Sequence, residues 1–350
     1  MKIIGAASAF PQYYYPQKVL MAALQTYWAG ELNRPETLER LHTRACVDGR
    51  HLALPIEDYY KMQTFGDFNR AWMKAAEELG QLALCRALTR SGLAPQEIDA
   101  IFFVSVTGVG SPSIDAKLVN RMQLSPRIKR VPIFGLGCVA GAAGISRSAD
   151  YVRAFPGHVA ALVSVELCSL TLQKKDLSVA NLISSGLFGD GAAAVLVAGD
   201  DHEQPGPEIV DTRSTFYPDT EDVMGWDISE RGFQIVLSPE VPTVIREHLG
   251  PDVDAFLGDH DLARRDIGSW IMHTGGPRVL EATQEALGVE PEALRISWDC
   301  LRRTGNLSSA SVLCVLEQVM QKERPPSGTF SVLAAAGPGF CSELVLLRWP

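Results

Sequence analysis

The chain of 350 residues lacks several features that mark particular classes of protein. Its 7 cysteines are an odd number and form no C-x-x-C pair, which argues against a disulfide framework and against a structural zinc site. No basic block offsets the net charge of −9, so we expect no nucleic-acid partner. No apolar segment is long enough to span a bilayer, and the N-terminal segment lacks the order of a signal peptide. These absences predict a cytoplasmic protein without membrane insertion.

An alternation of apolar strand-like segments with helical segments is the main pattern that the sequence does contain. The apolar segments are continuous, which predicts strands covered on both faces. Residues 130–134 predict the end of a further buried strand. The spacing of apolar residues predicts helices over 70–92, 277–288 and 307–321. The predicted strands are 98–108, 158–167, 192–199, 269–276, 330–337 and 343–349.

A weak internal repeat relates two parts of the chain, with a seam in the Pro/Asp/Gly-rich segment 200–222. At one constant offset along the chain, Cys138 corresponds to Asn306 and Ser105 corresponds to His273. Two similar α/β halves would bring Cys138, His273 and Asn306 to one central crevice, at the ends of strands and the starts of helices. Ligands commonly bind in such crevices of α/β sheets.

Cys138 lies in the segment GLGCVAGAAG, where the end of a predicted strand meets the start of a predicted helix. Free backbone N–H groups at the start of a helix lower the pKa of a nearby thiol, which favours a nucleophile. The alternative is a small buried hydrophobic residue, which is the role of most free cysteines.

His273 and Asn306 carry the polar groups that a reactive cysteine needs. His273, in MHTGGP, is a candidate proton acceptor or cationic partner for a thiolate. Asn306, in TGNLSS, can donate an N–H to an oxyanion but cannot act as a base. Their structural alternatives are a buried strand-end histidine and a helix N-cap. The same chain order occurs in papain-like proteases, but Cys138 lies far from the N-terminus and no aromatic residue follows it.

Five segments together resemble the type III polyketide synthases, which are chalcone synthase-like enzymes of the thiolase fold. The segments are GLGCVAGAAG, GLFGDGAAAVLV, HTGGPRVL, GNLSSASVL and AAGPGF. The resemblance extends to Trp349 and is closer to bacterial alkylresorcinol and alkylpyrone synthases than to plant enzymes. It implies an α/β fold in which two similar βαβαβ-type halves form a layered αβαβα core. The nucleophile would lie in residues 1–210, and the histidine and the asparagine in residues 211–350.

By this resemblance Cys138 carries the acyl group. His273 and Asn306 complete a triad, which holds the enolate oxygen formed when malonyl-CoA loses CO₂. Coenzyme A thioesters are the substrates, and no metal or other cofactor is implied. Phe188, in LFGDG, matches an aromatic gatekeeper between the coenzyme A tunnel and the cavity.

Further candidate residues come from the same resemblance. Arg40 and Arg44 match basic residues near the coenzyme A phosphates, although a solvated helix face is the plain alternative. Ala335 and Ala336 replace glycine and phenylalanine of a family loop and predict a smaller cavity wall. Ser111 aligns with a residue that reaches across a dimer. The other substrate-binding candidates are Thr107, Thr171, Trp226, Ile235, Ser308, Gly337, Pro338 and Gly339.

The predicted function is a homodimeric type III polyketide synthase. It would condense malonyl units onto a fatty acyl or β-ketoacyl thioester, delivered by coenzyme A or an acyl-carrier protein, to give an alkylpyrone or alkylresorcinol. Small residues in the cavity wall favour a long alkyl starter, whereas Trp226 could fill the same space. The alternatives are a ketoacyl-ACP synthase III, a stand-alone condensing enzyme that joins two carrier-bound chains, and a non-catalytic acyl-binding module.

Overall fold

The secondary structure is described over residues 1–32 and 35–350 of a computed structural model. The helices are α1 (Gln17–Tyr27), α2 (Pro35–Arg44), α3 (Ile56–Lys61), α4 (Phe65–Ser91), α5 (Ile114–Arg121), α6 (Ala140–Ala154), α7 (Val179–Leu187), α8 (Val241–Gly258), α9 (Pro277–Leu287), α10 (Arg295–Thr304) and α11 (Ala310–Lys322). The strands are β1 (Lys2–Ala9), β2 (Tyr13–Pro16), β3 (Gly49–Leu52), β4 (Ala100–Val104), β5 (Lys129–Ile133), β6 (Val159–Leu167), β7 (Asp190–Ala198), β8 (Glu208–Phe216), β9 (Met224–Ser229), β10 (Gly232–Leu237), β11 (Ile267–Met272), β12 (Phe330–Gly337) and β13 (Cys341–Arg348).

The largest sheet has the strand order β11-β12-β13-β8-β1-β7-β6-β4-β5. Strands β1 and β8 share one register pair, Lys2 with Glu208, so two parts of the sheet meet there. In the first part β7 pairs antiparallel with β1 and β6, and β6 pairs parallel with β4. In the second part β13 pairs antiparallel with β8 and β12, and β12 pairs parallel with β11. Strands β8, β13, β12 and β11 thus repeat the arrangement of β1, β7, β6 and β4, as the internal repeat predicted, whereas β5 has no counterpart among the described strands.

Helices cover both parts of the sheet and also separate them. Helix α4 packs on the outer face of the first part, and α8 and α9 pack on the outer face of the second. Helices α6 and α11 lie between the two parts, where Ile145 and Val315 are fully buried. Because side chains alternate along a strand, neighbouring residues of β12 enter different layers. Leu333 faces the central helices, whereas Val332 faces α8 and α9. This order of layers confirms the αβαβα core.

Most of the predicted elements are present. All six predicted strands form, and α4 ends at Ser91 with Gly92 as its C-cap, which adopts a φ of 71°. The prediction of a buried strand at residues 130–134 is wrong, because β5 pairs on one side only and is largely exposed. The proposed division between residues 210 and 211 falls inside β8 and stays a prediction. None of the helices in the described part of the chain has both the length and the hydropathy needed to cross a membrane.

Candidate active site

Cys138 lies in the 3-10 helix Gly137–Val139, which leads directly into α6. Gly137 has a φ of 53°, and a Cβ added there would come within 2.6 Å of Pro338. A Cβ added to Gly337 would lie 2.7 Å from a backbone nitrogen of this 3-10 helix. Glycine is therefore required on both sides of the contact. Gly337 and Pro338, two of the predicted substrate-binding residues, therefore pack against the turn that carries Cys138.

The environment of the Cys138 thiol differs from the one that the sequence predicted. The residue is 6 % exposed, and burial raises the pKa of its thiol to about 12. The buried carboxyl of Glu166 raises this pKa further, and a contact of 3.6 Å between Sγ and Ser308 Oγ opposes the rise. Desolvation thus outweighs the N–H groups at the helix start, and the predicted lowering of the thiol pKa is wrong.

His273 directly follows β11 and lines the same cavity as Cys138. Its backbone N–H donates to Ala334 O at 3.0 Å, which fixes the residue at the end of the strand. Burial lowers the pKa of its imidazole to about 4, so the ring is neutral at pH 7. Nδ1 is buried and has no hydrogen-bond partner within residues 1–32 and 35–350. A neutral ring has one donor and one acceptor nitrogen, and can therefore take up a proton.

The amide of Asn306 is held in one orientation by its neighbours. Its Oδ1 accepts from the backbone N–H of Ser308 at 2.8 Å and from Ser311 Oγ at 3.3 Å. Its Nδ2 donates one hydrogen to Gly275 O at 3.3 Å, which leaves the second hydrogen for a ligand. The N-cap of α11 is Ser309, so the helix-cap alternative for Asn306 is wrong.

Cys138, His273 and Asn306 line one cavity of about 640 Å³, a size typical of ligand pockets. Arg40 and Arg44 of α2 also line it, and both are exposed. A third exposed arginine, Arg278 at the start of α9, joins them. Arg278 was not predicted from the sequence, although it lies close to His273 in the segment HTGGPRVL, which indicated that it could reach the same site.

The cavity extends from the three residues into the outer layer of the second half. Ala335 packs with the central helices, whereas Ala334 and Ala336 pack with α8 and α9, and all three line the cavity. The cavity therefore passes around the end of β12. We call its outer part the C-terminal arm, which is lined by Tyr217, Val241, Ile245, Leu249, Val279, Thr283, Ala334, Ala336, Phe340 and Ser342.

A second cavity of about 100 Å³ shares Phe188 with the first. Trp226 and Ile235 are opposite each other on β9 and β10 and line this second cavity together with Thr171. Trp226 also packs against Phe233, with ring centroids 5.8 Å apart. Of the predicted substrate-binding residues, Thr171, Trp226 and Ile235 line the second cavity and Phe188 lines both. The role of Phe188 as a gatekeeper stays a prediction.

Phe188 and Asn306 belong to one backbone unit. The N–H of Asn306 donates to Leu187 O, and the N–H of Gly189 donates to Asn306 O, both at 2.9 Å. The buried guanidinium of Arg50 donates to Phe188 O at 2.6 Å. Backbone hydrogen bonds therefore connect the segment of Phe188, the gatekeeper candidate, to Asn306, the candidate enolate donor.

Six predicted substrate-binding residues line neither cavity: Thr107, Ser111, Ser308, Gly337, Pro338 and Gly339. The Thr107 hydroxyl accepts from Trp72 Nε1 at 3.2 Å and from the backbone N–H of Leu167 at 2.9 Å, and donates to Glu166 at 3.0 Å. All of its hydrogen-bonding capacity is used within the protein. Ser111 is exposed in the loop that precedes α5.

Glu166 is a buried carboxyl group that sequence reasoning missed. It accepts from the backbone N–H of Val106 at 3.1 Å and from the hydroxyls of Ser105, Thr107 and Ser309. Burial raises its pKa to about 7, and these hydrogen bonds oppose the rise. In the sequence, a single glutamate near the end of an apolar strand gives no signal of this network.

Two protein-family models match the chain. The N-terminal domain of chalcone and stilbene synthases matches residues 9–201, and the C-terminal domain of the same family matches residues 208–349. The chain belongs to this family. The match favours neither a ketoacyl-ACP synthase III nor an acyl-binding module.

Individual relatives agree with this assignment. A 1,3,6,8-tetrahydroxynaphthalene synthase of Streptomyces peucetius subsp. caesius is 49 % identical over 350 residues, covering 99 % of this chain and 93 % of the relative. A 3,5-dihydroxyphenylacetyl-CoA synthase of Streptomyces toyocaensis is 30 % identical over 358 residues, covering 99 % and 90 %. The crystal structure of 1,3,6,8-tetrahydroxynaphthalene synthase from Streptomyces coelicolor A3(2), a bacterial type III polyketide synthase, superposes with a TM-score of 0.95 at 32 % identity, covering 100 % and 99 %. The chain is a type III polyketide synthase, an acyltransferase that condenses malonyl-CoA.

Proposed function

We propose that this enzyme builds an aromatic polyketide of the 1,3,6,8-tetrahydroxynaphthalene type from malonyl-CoA alone. One observation carries the catalytic assignment: a single cavity contains a buried thiol, a neutral imidazole and an oriented amide donor. The product class is supported by the relative of that name, which is 49 % identical over nearly the whole chain.

In the first step of the proposed reaction, His273 takes the proton of the Cys138 thiol. The raised pKa of the thiol and the lowered pKa of the imidazole keep both groups neutral until a thioester arrives. The thiolate then attacks the thioester carbonyl, and the bond from this carbon to the coenzyme A sulfur breaks. Coenzyme A leaves as a thiol after it takes the proton from His273. Arg40, Arg44 and Arg278 would bind its phosphates.

In the second step, malonyl-CoA loses CO₂, and the electron pair of the broken C–C bond moves into the thioester as an enolate. His273 and Asn306 Nδ2 donate hydrogen bonds to the enolate oxygen. Each such donor is worth about 3 kcal/mol in comparable oxyanion sites. The enolate carbon then attacks the acyl carbon on Cys138, the bond from that carbon to Sγ breaks, and the Cys138 thiolate is released. The extended chain is now a coenzyme A thioester, from which Cys138 can be reloaded. The proposed cycle includes no metal or other cofactor.

A fatty acyl starter, which would give an alkylpyrone or alkylresorcinol, is the second candidate. The apolar lining of the C-terminal arm is the observation that favours it. Homodimerisation, delivery by a carrier protein and a cytoplasmic location stay predictions.

Purified enzyme incubated with malonyl-CoA alone, with products identified by mass spectrometry, tests the proposal. We expect a tetrahydroxynaphthalene from the wild-type enzyme and none from Cys138→Ala. The matched control is Cys314→Ala, because Cys314 is equally buried but belongs to the core of α11. Products that form only when an acyl-CoA is added would favour the second candidate, and an active Cys138→Ala variant would contradict the assigned nucleophile.

A further inference from the structure

Hydrogen bonds to three consecutive backbone carbonyls connect the C-terminal end of α7 to the rest of the site. We infer that Arg50, together with Gln17, is a positioning residue for decarboxylation, because these two side chains hold the carbonyls on either side of the one that binds Asn306. The inference rests on the proposed role of Asn306 as an enolate donor. It requires no contact between Arg50 and the substrate.

The three carbonyls have three different partners. The last carbonyls of an α-helix find no donor within the helix and need one elsewhere. The first of them, Gly186 O, accepts from Gln17 Nε2 at 2.7 Å. The middle one accepts from the backbone N–H of Asn306 at 2.9 Å, and the third, Phe188 O, accepts from Arg50 Nη1 at 2.6 Å. Side-chain donors thus fix the helix end on both sides of the bond to Asn306.

Gln17 and Arg50 also bind each other, and we call the pair the carbonyl clamp. Arg50 Nε donates to Gln17 Oε1 at 3.3 Å, so Gln17 uses its oxygen for Arg50 and its nitrogen for α7. Arg50 lies on β3 opposite Tyr15 of β2. The backbone N–H of Gln17 donates to Asp48 O at 2.8 Å, just before β3. The carbonyl clamp is therefore anchored in the backbone of the two-stranded sheet, outside α7.

Arg50 keeps its positive charge although it is only 4 % exposed. Burial lowers the pKa of its guanidinium to about 10, and the nearby carboxylate of Asp190 opposes the decrease, so the group is protonated at pH 7. A charged donor forms a stronger hydrogen bond than a neutral amide does. A cation at the C-terminal end of a helix also interacts favourably with the helix dipole. Both effects strengthen the hold on Phe188 O.

The aliphatic part of Arg50 contacts the residue that precedes Asn306. Gly305 has a φ of 71°, and a Cβ added there would lie 3.1 Å from Arg50 Cδ and 2.5 Å from Leu187 O. Glycine is therefore required for this close approach. The side chain of Arg50 thus contacts both segments, with its guanidinium at Phe188 and its aliphatic part at Gly305.

A displacement of Phe188 O would move the donor amide. Asn306 is bonded to the segment of Phe188 through both of its backbone polar groups, since its N–H donates to Leu187 O and its own oxygen accepts from the N–H of Gly189. A misplacement of about 1 Å in a reacting geometry can reduce a rate about 100-fold. Because the amide of Asn306 serves decarboxylation and not the acylation of Cys138, only the first of these steps should depend on the carbonyl clamp.

Arg50→Lys tests this separation of steps. Lysine keeps the charge but offers one nitrogen in place of the planar fork that reaches both Phe188 O and Gln17. The rate of CO₂ release from malonyl-CoA should fall about 10- to 100-fold. Acylation of Cys138 by acetyl-CoA, followed by intact-protein mass, should stay unchanged. Equal decreases in the two rates would overturn the inference, because a general loss of structure affects both steps.

Combination with Asn306→Ala shows whether Arg50 acts through Asn306. In that background Arg50→Lys should cause no further decrease in decarboxylation, because the group that it positions is gone. The same decrease in both backgrounds would overturn the inference, since Arg50 would then act on the substrate directly.

The single variants separate this inference from the proposed function. Full decarboxylation by Asn306→Ala would refute the proposed role of Asn306, and the inference with it. A loss in Asn306→Ala without one in Arg50→Lys would refute the inference alone.

Gln17→Glu tests the carbonyl clamp at a residue that is only half-buried. It keeps an acceptor for Arg50 but removes the donor to Gly186 O, so decarboxylation should fall severalfold while acylation stays unchanged. If Arg50→Lys does not fold, this variant decides, and unchanged decarboxylation in it would overturn the inference.

The matched control is Arg90→Lys. Arg90 also donates to a backbone carbonyl at 2.6 Å, that of Ala6 in β1, and it lines neither cavity. Both rates should equal those of the wild-type enzyme in this variant. A selective loss of decarboxylation in Arg90→Lys, equal to that in Arg50→Lys, would overturn the inference.

Discussion

The two halves of the enzyme share most of their topology but differ in how one pair of corresponding buried residues is hydrogen-bonded. Ser105 follows β4 and His273 follows β11, which are corresponding strands of the two halves. Ser105 Oγ lies 3.3 Å from Thr107 and 3.3 Å from Glu166, inside a network of protein hydrogen bonds. His273 Nδ1 has no partner in the described part of the chain. An unpaired buried polar atom costs about 1–3 kcal/mol, so His273 lowers the stability of the folded state at a position where Ser105 does not.

The same repeat also explains how the nucleophile and the amide meet. Cys138 precedes α6 and Asn306 precedes α11, and these two helices pack against each other between the sheets. They approach so closely that a Cβ on Gly141 would lie 2.1 Å from Ser309 O. The shared fold thus supplies the positions, while the thiol of the first half and the free polar groups of the second half supply the chemistry.

The largest effect is expected at Asn306, where the second half provides a donor. Asn306→Asp keeps the oxygen that accepts from Ser308 but replaces the donor nitrogen with a second acceptor. Decarboxylation of malonyl-CoA, followed as CO₂ release, should fall about 100- to 1000-fold, because one oxyanion donor is lost. Acylation of Cys138, followed by protein mass, should continue.

Asn306→Ala serves as the comparison, since it removes both the donor and the local acceptor. If Asn306 acts only through its hydrogen bond with Ser308, the aspartate variant will retain decarboxylation and the alanine variant will lose it. Equal losses in both variants are expected if the donor is essential.

A smaller effect is expected from the pH dependence of stability at His273. Its pKa is about 4 in the folded enzyme, below the ordinary value of 6.5. Between these values the unfolded chain binds a proton that the folded chain does not, so stability falls as pH decreases. The contribution is about 3 kcal/mol. Between pH 7 and pH 4, the free energy of unfolding of the wild-type enzyme should therefore fall by up to about 3 kcal/mol more than that of His273→Gln, as measured by urea unfolding. Equal decreases in the free energy of unfolding of the two proteins would show that His273 is not buried as a neutral ring.

The fold was largely predictable because burial on both faces requires continuous apolar sequence. Strands β6 and β7 are fully buried and were predicted for that reason. Strand β5 was predicted as buried although it is largely exposed. Exposure of an edge strand depends on which neighbours pair with it, and this long-range information is absent from a short segment.

The site was predictable in position but not in electrostatics. The repeat brought Cys138, His273 and Asn306 to one cavity, as the structure does. The predicted direction of the shift in the thiol pKa was wrong, because the sequence shows the start of a helix but not the loss of solvent around the sulfur. Trp226 was predicted to fill space that a long alkyl starter would occupy, but it lines the second cavity and not the one that contains Cys138, because the pairing of β9 with β10 determines where it lies.

The smallest effect is expected at Ser105, the counterpart of His273 in the first half. Ser105→Ala removes a hydroxyl whose contacts to Thr107 and Glu166 are both 3.3 Å long, so the cost in stability should be about 1 kcal/mol. The rate at which Cys138 is acylated should change less than about threefold, which corresponds to well under 1 kcal/mol. Urea unfolding and intact-protein mass measure the two quantities. A loss of acylation comparable to that in His273→Gln would mean that both halves contribute chemistry at this position, and the contrast between Ser105 and His273 would have to be abandoned.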